Sequence, residues 1–289
     1  MIHPEFFFNV CKKEDVDFFS GVPDSLLKNI CSYIADNTPS ENHIIAANEG
    51  NALAIGVGYH LSTGKVPLIY MQNSGLGNVI NPLLSLADQE VYSVPLLMMI
   101  GWRGEPGVKD EPQHKKQGRV TVALLEAMEI PYKVLTADSN IEEAEVTLKA
   151  MLSIAKKENK PCALLIKKGF FEDYKFQSDI LYERPLYREQ AIEIIVNNLN
   201  EPDIVVSTTG VASRELFEYR EKLKSGHEKD FLTVGGMGHT SQIALGIALQ
   251  KKNRQIYCLD GDGSLIMHMG TLAINANMNC RNFKHIVFN

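Results

Sequence analysis

The chain has 289 residues, of which 45% are hydrophobic and 22% are charged, and this composition is typical of a globular protein with room for two domains. Its formal net charge of −6 argues against a general nucleic-acid-binding surface or an anionic-membrane surface. Residues Met1 to Val10 lack the features of a signal peptide, and no apolar run approaches the length of a transmembrane helix. The five cysteines are odd in number and lack CxxC spacing, so we expect reduced thiols and a cytoplasmic location.

The chain alternates short apolar segments with segments of helical periodicity. In the first part of the chain this pattern predicts strands at Asp17–Gly21, His43–Ala46, Val66–Met71, Pro95–Gly101 and Cys162–Ile166. Between them it predicts helices at Ser25–Ile34, Gly50–Leu61, Gly77–Leu86 and Ile141–Lys157. The alternation restarts with helices at 188–199, 214–224, 240–250 and 267–277 and strands at 203–207, 231–234, 255–259 and 285–288. The fold class is therefore α/β, with two doubly wound parallel-sheet domains at 1–170 and 188–289 and a linker at 171–187.

A Gly-rich acidic turn near the end of the chain is the strongest functional signal. Asp262 lies between Gly261 and Gly263, directly after the predicted strand 255–259, and Asn289 ends the strand that follows one helix later. Glycines allow a close backbone approach to a diphosphate, and carboxylate and amide oxygens suit Mg²⁺. An Asp-Gly pair alone favours a simple turn, but the spacing to Asn289 favours a cation site.

Two other turns follow predicted strands of the same domain. Thr209 and Gly210 follow the predicted strand 203–207, and Ser213 opens the next predicted helix; hydroxyls and free amides at a helix N-terminus suit a diphosphate. Gly236-Met237-Gly238-His239 follows the next strand. A methionine is most often a core residue, but a place between glycines at a strand end argues against that role for Met237.

The first domain offers two carboxylates after predicted strands. Glu49 follows the strand His43–Ala46 at the start of a small-residue helix, where an acid is also favoured by the helix dipole. Asp24, with Ser25, lies in the first strand-to-helix turn, and it is equally suited to cap the helix. Glu49 is the better candidate for a catalytic acid or base.

Residues 103–119 carry five basic side chains on what we predict to be a Gly/Pro-rich loop after the strand Pro95–Gly101. Such a loop would favour an anionic substrate, with Arg103 suited to bidentate contact. Lys115 and Lys116 are more simply explained as solvated surface residues. His114 could donate a proton or contact the anion, although a lone loop histidine usually does neither.

Taken together, these motifs resemble the thiamine-diphosphate-dependent decarboxylases. Gly261-Asp262-Gly263-Ser264, with an Asn one βαβ unit later, resembles the cofactor motif of that family. The segments 20–25, 49–64, 70–78 and 101–107, with Gln113-His114, resemble its phosphonopyruvate and sulfopyruvate decarboxylase branch. The resemblance implies a pyrimidine-binding domain followed by a diphosphate-binding domain, and an active site between two subunits with Glu49 of one facing Asp262 of the other. Since the motif usually ends in two asparagines, we expect the second domain to be incomplete at its C-terminus.

The resemblance also implies roles for individual residues. The expected cofactors are thiamine diphosphate and Mg²⁺, and the expected substrate is a small anionic 2-oxo acid. The expected catalytic residues are Glu49, Asp24 and His114, and the expected substrate-binding residues are Ser25, Asn73, Ser74 and Arg103. The expected metal ligands are Asp262 and Asn289. The expected cofactor-binding residues are Thr209, Gly210, Ser213, Gly236, Met237, Gly238, His239, Gly261, Asp262, Gly263 and Ser264.

The activity that the resemblance implies is non-oxidative decarboxylation of 3-phosphonopyruvate to phosphonoacetaldehyde and CO2. The alternatives are the same reaction on sulfopyruvate, carboligation, and a non-catalytic cofactor-binding subunit. Neither a nucleic acid nor a membrane is expected as a partner.

Overall fold

The computed structural model describes residues 1–177 and 185–289, and the chain divides into two compact units, Met1–Asp179 and Ile180–Asn289. The predicted linker at 171–187 falls partly on residues 178–184, which lie outside the described residues. Its first part packs against the first unit, because the Glu172 amide donates to the Ile2 carbonyl at 2.9 Å and the Tyr174 hydroxyl donates to Asp36 at 3.0 Å.

The first unit is a parallel sheet with helices on both faces. Its strands are β1 (Phe19–Gly21), β2 (His43–Ile45), β3 (Leu68–Gln72), β4 (Leu97–Gly101), β5 (Tyr132–Leu135) and β6 (Cys162–Ile166), in the spatial order β2-β1-β3-β4-β6-β5. Its helices are α1 (Pro4–Lys13), α2 (Lys28–Asn37), α3 (Glu49–Thr63), α4 (Leu76–Pro82), α5 (Pro112–Ala127) and α6 (Ile141–Glu158). A 3-10 turn, Asn73–Gly75, joins β3 to α4.

The second unit repeats this plan with a smaller parallel sheet. Its strands are β7 (Ile204–Ser207), β8 (Asp230–Leu232), β9 (Ile256–Gly261) and β10 (Phe283–Phe288), in the order β10-β9-β7-β8. Its helices are α7 (Arg188–Asn197), α8 (Val211–Leu223), α9 (Thr240–Gln250), α10 (Asp262–Met267) and α11 (Thr271–Met278). None of the described helices has both the length and the apolar character needed to cross a membrane.

Both sheets have a core on each face, which explains their uninterrupted apolar strands. In β4, Leu97 and Met99 belong to the cluster on one face, whereas Met98 and Ile100 belong to the cluster on the other. Every residue of β4 is buried, as expected for a parallel strand covered by helices on both sides. The predicted fold class, α/β with two parallel sheets, is confirmed.

Several elements differ from the sequence prediction. The predicted loop at 103–119 is wrong in its second half, because α5 begins at Pro112, a residue favoured in the first turn of a helix. Its first two turns are mostly polar, and the whole helix buries only Gly118, Thr121 and Leu125, so its amphipathic pattern is weak. Helix α1 and strand β5 were not predicted, and the single helix expected at 267–277 is two, α10 and α11.

Candidate functional site

The candidate site of the first unit lies at the carboxyl edge of its sheet. Strands β1, β3 and β4 are neighbours, with Gly21 paired to Tyr70 and Gln72 paired to Gly101. The turns that leave these strands therefore lie side by side, where parallel sheets of this type bind ligands.

Glu49 is a buried carboxylate at this edge. It is the first residue of α3, whose N-cap Asn48 accepts a 2.9 Å hydrogen bond from the Asn51 amide. Glu49 is 5% exposed, and its Oε2 accepts a hydrogen bond from Asn78 Nδ2 at 2.6 Å. A Cβ added to Gly75 would lie 2.5 Å from Glu49 Oε1, so the carboxylate occupies the space that this glycine leaves. Burial distinguishes Glu49 from a solvated residue that serves the helix dipole alone.

Asp24 combines the two roles that the sequence left open. Its Oδ2 accepts from the amides of Leu26 and Leu27 at 3.2 Å, which is a capping geometry, and its Oδ1 accepts from Gln72 Nε2 at 2.7 Å. Burial raises the pKa of Asp24 above its usual value, although these hydrogen bonds and Arg103 act in the opposite direction. Asp24 can therefore hold a proton at a higher pH than an ordinary aspartate.

Asn73 and Ser74 use their polar atoms within the protein. Asn73 is 1% exposed; its Nδ2 donates to the Arg103 carbonyl at 2.8 Å and to Thr121 Oγ1 at 2.9 Å, and its Oδ1 accepts from the Arg103 amide at 3.1 Å. The Ser74 hydroxyl donates to Gln72 Oε1 at 2.8 Å, and Gln72 in turn contacts Asp24. Asn73 and Ser74 therefore help to position Arg103 and Asp24. Residue types and their spacing in the sequence could not reveal this role.

Arg103 is paired with an acid that the sequence analysis did not single out. Its Nε donates to Asp110 Oδ2 at 2.9 Å and its Nη2 donates to Asp110 Oδ1 at 2.6 Å. Its Nη1 donates to the Ser25 hydroxyl at 3.0 Å. The guanidinium holds the pKa of Asp110 well below its usual range, so the pair is ionised at neutral pH.

A cavity of about 590 Å³ opens beside this pair. Four basic and four acidic side chains line it: Lys28, Arg103, Lys109 and Lys168, and Glu105, Asp110, Glu172 and Asp173. Lys115, Lys116 and Arg119 are exposed on α5 and do not line this cavity, as expected for Lys115 and Lys116, so the excess positive charge of residues 103–119 does not extend to it. His114, on the first turn of α5, is half-buried, and burial together with Arg103 lowers its pKa.

The second unit presents a polar cavity of about 760 Å³ at the carboxyl edge of its sheet. Thr208 and Thr209, Gly261, Asp262 and Asn289 all border it. Thr208 Oγ1 is buried and has no hydrogen-bond partner among the described residues. Because buried hydroxyls are normally bonded, this orphaned oxygen fits a site whose remaining partner is a polar ligand. The exposed carboxylate of Asp262 and the amide of Asn289 are the donor types that Mg²⁺ takes.

Other predicted cofactor residues shape the backbone of this edge. Ser213 donates to the Thr208 carbonyl at 2.6 Å, and Ser264 accepts from the Gly238 amide at 3.1 Å, so both hydroxyls link loops of the protein. Gly210, Gly236 and Gly238 have φ values of 100°, 69° and 90°, which favour glycine.

The loop between Gly236 and Gly238 exposes its central side chain. Met237 is 45% exposed, so it is not a core residue of this unit. His239 Nδ1 lies 3.1 Å from the Gly236 carbonyl oxygen, and Gly263 is exposed in the first turn of α10. The side chain of Met237 is thus available to a ligand.

Asp260 and His285 support the acidic turn and were missed by the sequence analysis. His285 Nε2 lies 3.1 Å from Asp260 Oδ2, and the Gly261 amide donates to Asp260 Oδ1 at 3.0 Å. Burial raises the pKa of Asp260, but hydrogen bonds from His285, Ser264 and the Gly261 amide outweigh it and bring the pKa below its usual value. The sequence signal that could have identified this pair is the acidic residue Asp260 at the end of the apolar strand β9, since a buried carboxylate needs a polar partner.

Comparison with known proteins assigns both parts of the chain to a family. The family model of the thiamine pyrophosphate enzyme, N-terminal TPP binding domain, matches residues 4–125, and that of the C-terminal TPP binding domain matches residues 209–289. A phosphonopyruvate decarboxylase of Streptomyces viridochromogenes is 32% identical over 93% of this chain and 68% of its own length.

Two sulfopyruvate decarboxylase sequences are also similar. The enzyme of Methanosarcina acetivorans is 25% identical over 91% of this chain and 69% of its own length. Subunit alpha of the Methanocaldococcus jannaschii enzyme is 36% identical over 57% of this chain and 93% of its own length. The chain therefore belongs to the thiamine-pyrophosphate-dependent decarboxylases, on the branch that contains the phosphonopyruvate and sulfopyruvate decarboxylases.

Proposed function

We propose that this protein uses thiamine diphosphate and Mg²⁺ to decarboxylate 3-phosphonopyruvate, releasing CO2 and phosphonoacetaldehyde. The observation that carries the proposal is the 32% identity to a phosphonopyruvate decarboxylase across 93% of the chain. The pairing of Arg103 with Ser25 beside Asp24 supports it, because a guanidinium and a hydroxyl suit the oxygens of a phosphonate.

The second unit would hold the cofactor through its diphosphate. Asp262 and Asn289 would ligate Mg²⁺, and Thr208, Thr209 and the amides that open α8 would meet the diphosphate oxygens. The orphaned hydroxyl of Thr208 and the shared cavity support this assignment. Met237, exposed between two glycines, would support the cofactor rings.

The first unit would activate the cofactor and handle substrate protons. Thiamine diphosphate, when bound, supplies the nucleophilic carbon and the electron sink for loss of CO2. Glu49 would hold a proton at the pyrimidine ring, since its carboxylate is buried and its one described side-chain hydrogen-bond partner is Asn78. Asp24 would deliver or accept a proton at the substrate carbon, with Gln72 fixing its Oδ1.

We also propose that two copies of the chain share each active site, with Glu49 of one copy and Asp262 of the other. The resemblance to the family supports this arrangement. It implies that neither residue can act without a partner copy.

Sulfopyruvate is the second candidate substrate, and one observation favours it. Asp110 offsets the charge of Arg103, and the acidic and basic side chains around the 590 Å³ cavity are equal in number. A sulfonate carries one negative charge, whereas a phosphonate carries up to two, so a balanced cavity discriminates less strongly in favour of the dianion.

Substrate charge can be tested by removing Arg103. We expect Arg103→Ala to reduce kcat/KM for phosphonopyruvate by on the order of 10–100-fold, the value of a charged hydrogen bond, and to change kcat/KM for pyruvate little. CO2 release is measured for phosphonopyruvate, sulfopyruvate and pyruvate. Lys116→Ala, an exposed cation of α5 outside the cavity, is the matched control. Equal losses on all three substrates would remove Arg103 from substrate recognition.

A further inference from the structure

Hydrogen bonds fix the main chain of Arg103. Asn73 bonds both its amide and its carbonyl, and Asn73 is itself fixed by Thr121. The preceding residue, Trp102, donates its indole N–H to the Gly118 carbonyl at 3.0 Å. The start of the Arg103 side chain is thus fixed relative to β3 and α5.

The guanidinium is fixed at one of its two donor edges. Nε and Nη2 donate to the two oxygens of Asp110 in a bidentate pair. Asp110 is itself locked, because Oδ2 also accepts from the Gly104 amide and Oδ1 from the Glu111 amide, both at 2.8 Å. A carboxylate with four donors has little freedom to move.

The other edge of the guanidinium is directed at the cavity. Nη1 donates to the exposed hydroxyl of Ser25, and Ser25, Arg103 and Asp110 all line the 590 Å³ space. An arginine that uses its Nε edge on Asp110 presents its Nη1 and Nη2 hydrogens as a second planar fork. Such a fork matches two oxygens of a phosphonate or sulfonate.

We propose that Asp110 is the positioning residue that makes this site specific for a tetrahedral oxyanion. It turns the Nη edge of Arg103 toward the substrate's phosphonate or sulfonate group, next to the Ser25 hydroxyl. This deepens the proposed function and rests on it. Because Asp110 also offsets the charge of Arg103, the site recognises the anion by hydrogen-bond geometry rather than by excess charge.

Trp102 allows this inference to be tested without turnover. It is the only tryptophan of the sequence, it adjoins Arg103, and it lines the same cavity. The intact protein, loaded with thiamine diphosphate and Mg²⁺, is titrated with phosphonoacetate, an unreactive carboxylate-phosphonate probe, and Trp102 fluorescence is followed. We expect a saturable change in the wild type.

The variants separate positioning from charge. Asp110→Asn keeps the size of the side chain, and we expect it to weaken phosphonoacetate binding on the order of tenfold. Lys116→Ala removes an exposed charge of α5 outside the cavity and should leave affinity unchanged. Adding Asp110→Asn to Arg103→Ala should cause no loss beyond Arg103→Ala itself, since Asp110 acts through Arg103.

Arg103→Lys gives a second test should Asp110→Asn lose its fold by circular dichroism. Lysine keeps the positive charge but lacks the planar pair of N–H donors. The affinity of Arg103→Lys for phosphonoacetate should therefore fall to that of Arg103→Ala. Wild-type affinity in Asp110→Asn or Arg103→Lys, additive losses in the double variant, or no Trp102 response in the wild type would each overturn the inference. Normal phosphonoacetate binding by a protein that releases no CO2 would count against the proposed function alone.

Discussion

Glu49 and Asp24 are buried carboxyl groups at one sheet edge, but their hydrogen-bond partners differ. Asp24 accepts from two backbone amides and from Gln72, whereas the hydrogen bond described for the Glu49 carboxylate comes from Asn78. The first pattern fixes Asp24 against a turn, as its proposed role in proton transfer requires, and the second is consistent with the proposal that an oxygen of Glu49 contacts the cofactor.

The raised pKa of Asp24 predicts a pH-dependent stability. The folded state binds the proton more tightly than the unfolded state, so the contribution of Asp24 to stability is complete below its ordinary pKa of about 4 and is lost as pH rises through the raised value. Asp24→Asn cannot ionise and still caps the turn. We expect Asp24→Asn to be more stable than wild type at pH 8, and no such gain at pH 3.

Urea unfolding of both proteins at the two pH values measures this difference. Asp138→Asn, at an exposed position, is the control and should show no such pH-dependent gain. A gain of equal size at pH 3 and pH 8 would show that ionisation of Asp24 is not its cause. Decarboxylation by Asp24→Asn should fall on the order of 10²-fold or more, as for loss of a general acid or base.

Residue types near the strand ends could be predicted from the sequence, but their orientation could not. Glu49, Asp24 and Asp262 all follow strands, where their positions are defined by the chain pattern. Asn73 was predicted to contact the substrate, yet its amide bonds the Arg103 backbone. Asp110 was missed because an acid in a charged segment has no periodicity that marks it.

At the scale of elements, the 3-10 turn Asn73–Gly75 shapes the site as much as the strands do. Gly75 leaves space for the Glu49 carboxylate, and Asn73 in the same turn holds Arg103. The turn therefore contacts, within three positions, both Glu49, the proposed cofactor-activating residue, and Arg103, the proposed substrate-binding residue.

A single methyl group at Gly75 tests this arrangement. Gly75→Ala places a Cβ 2.5 Å from Glu49 Oε1, so we expect displacement of the carboxylate, a stability loss of about 1–3 kcal/mol, and a fall in kcat. Gly77→Ala, two residues later on α4, meets nothing within 4 Å and should be neutral or stabilising by up to about 1 kcal/mol. Thermal unfolding and CO2 release are compared for the two variants. Equal stability and equal activity would show that the missing side chain of Gly75 is not needed to accommodate Glu49.

Helix α5 shows why some elements were not predicted. Its apolar face is confined to a few buried residues, and its first half carries His114 and several exposed basic residues. The charge pattern suggested a loop, and only packing of Gly118, Thr121 and Leu125 reveals the helix. The strands were simpler to predict, because burial on both faces leaves continuous apolar runs such as Cys162–Ile166.

At the scale of the whole molecule, the proposed sharing of each site between two copies predicts complementation. Glu49→Gln and Asp262→Ala should each be inactive alone, since one lacks the proposed activating carboxylate and the other a proposed metal ligand. Mixed, unfolded and refolded together, they should recover about a quarter of wild-type activity, because half of a randomly assorted dimer population is mixed and one of its two sites is intact.

The control for complementation is each variant refolded with itself, which should stay inactive. Mixing that restores no activity, while a crosslinking assay shows mixed dimers, would place Glu49 and Asp262 of a working site in the same copy.

The proposed action of this decarboxylase on phosphonopyruvate is tested most directly by internal competition. Phosphonopyruvate, sulfopyruvate and pyruvate are supplied together at equal concentrations with thiamine diphosphate and Mg²⁺, and the aldehydes formed are quantified at early times, so that their ratio equals the ratio of kcat/KM values. We expect phosphonoacetaldehyde to dominate and Glu49→Gln to form almost none of the three aldehydes. Predominant sulfoacetaldehyde or acetaldehyde would contradict the assigned substrate, and undiminished product from Glu49→Gln would contradict the assigned site.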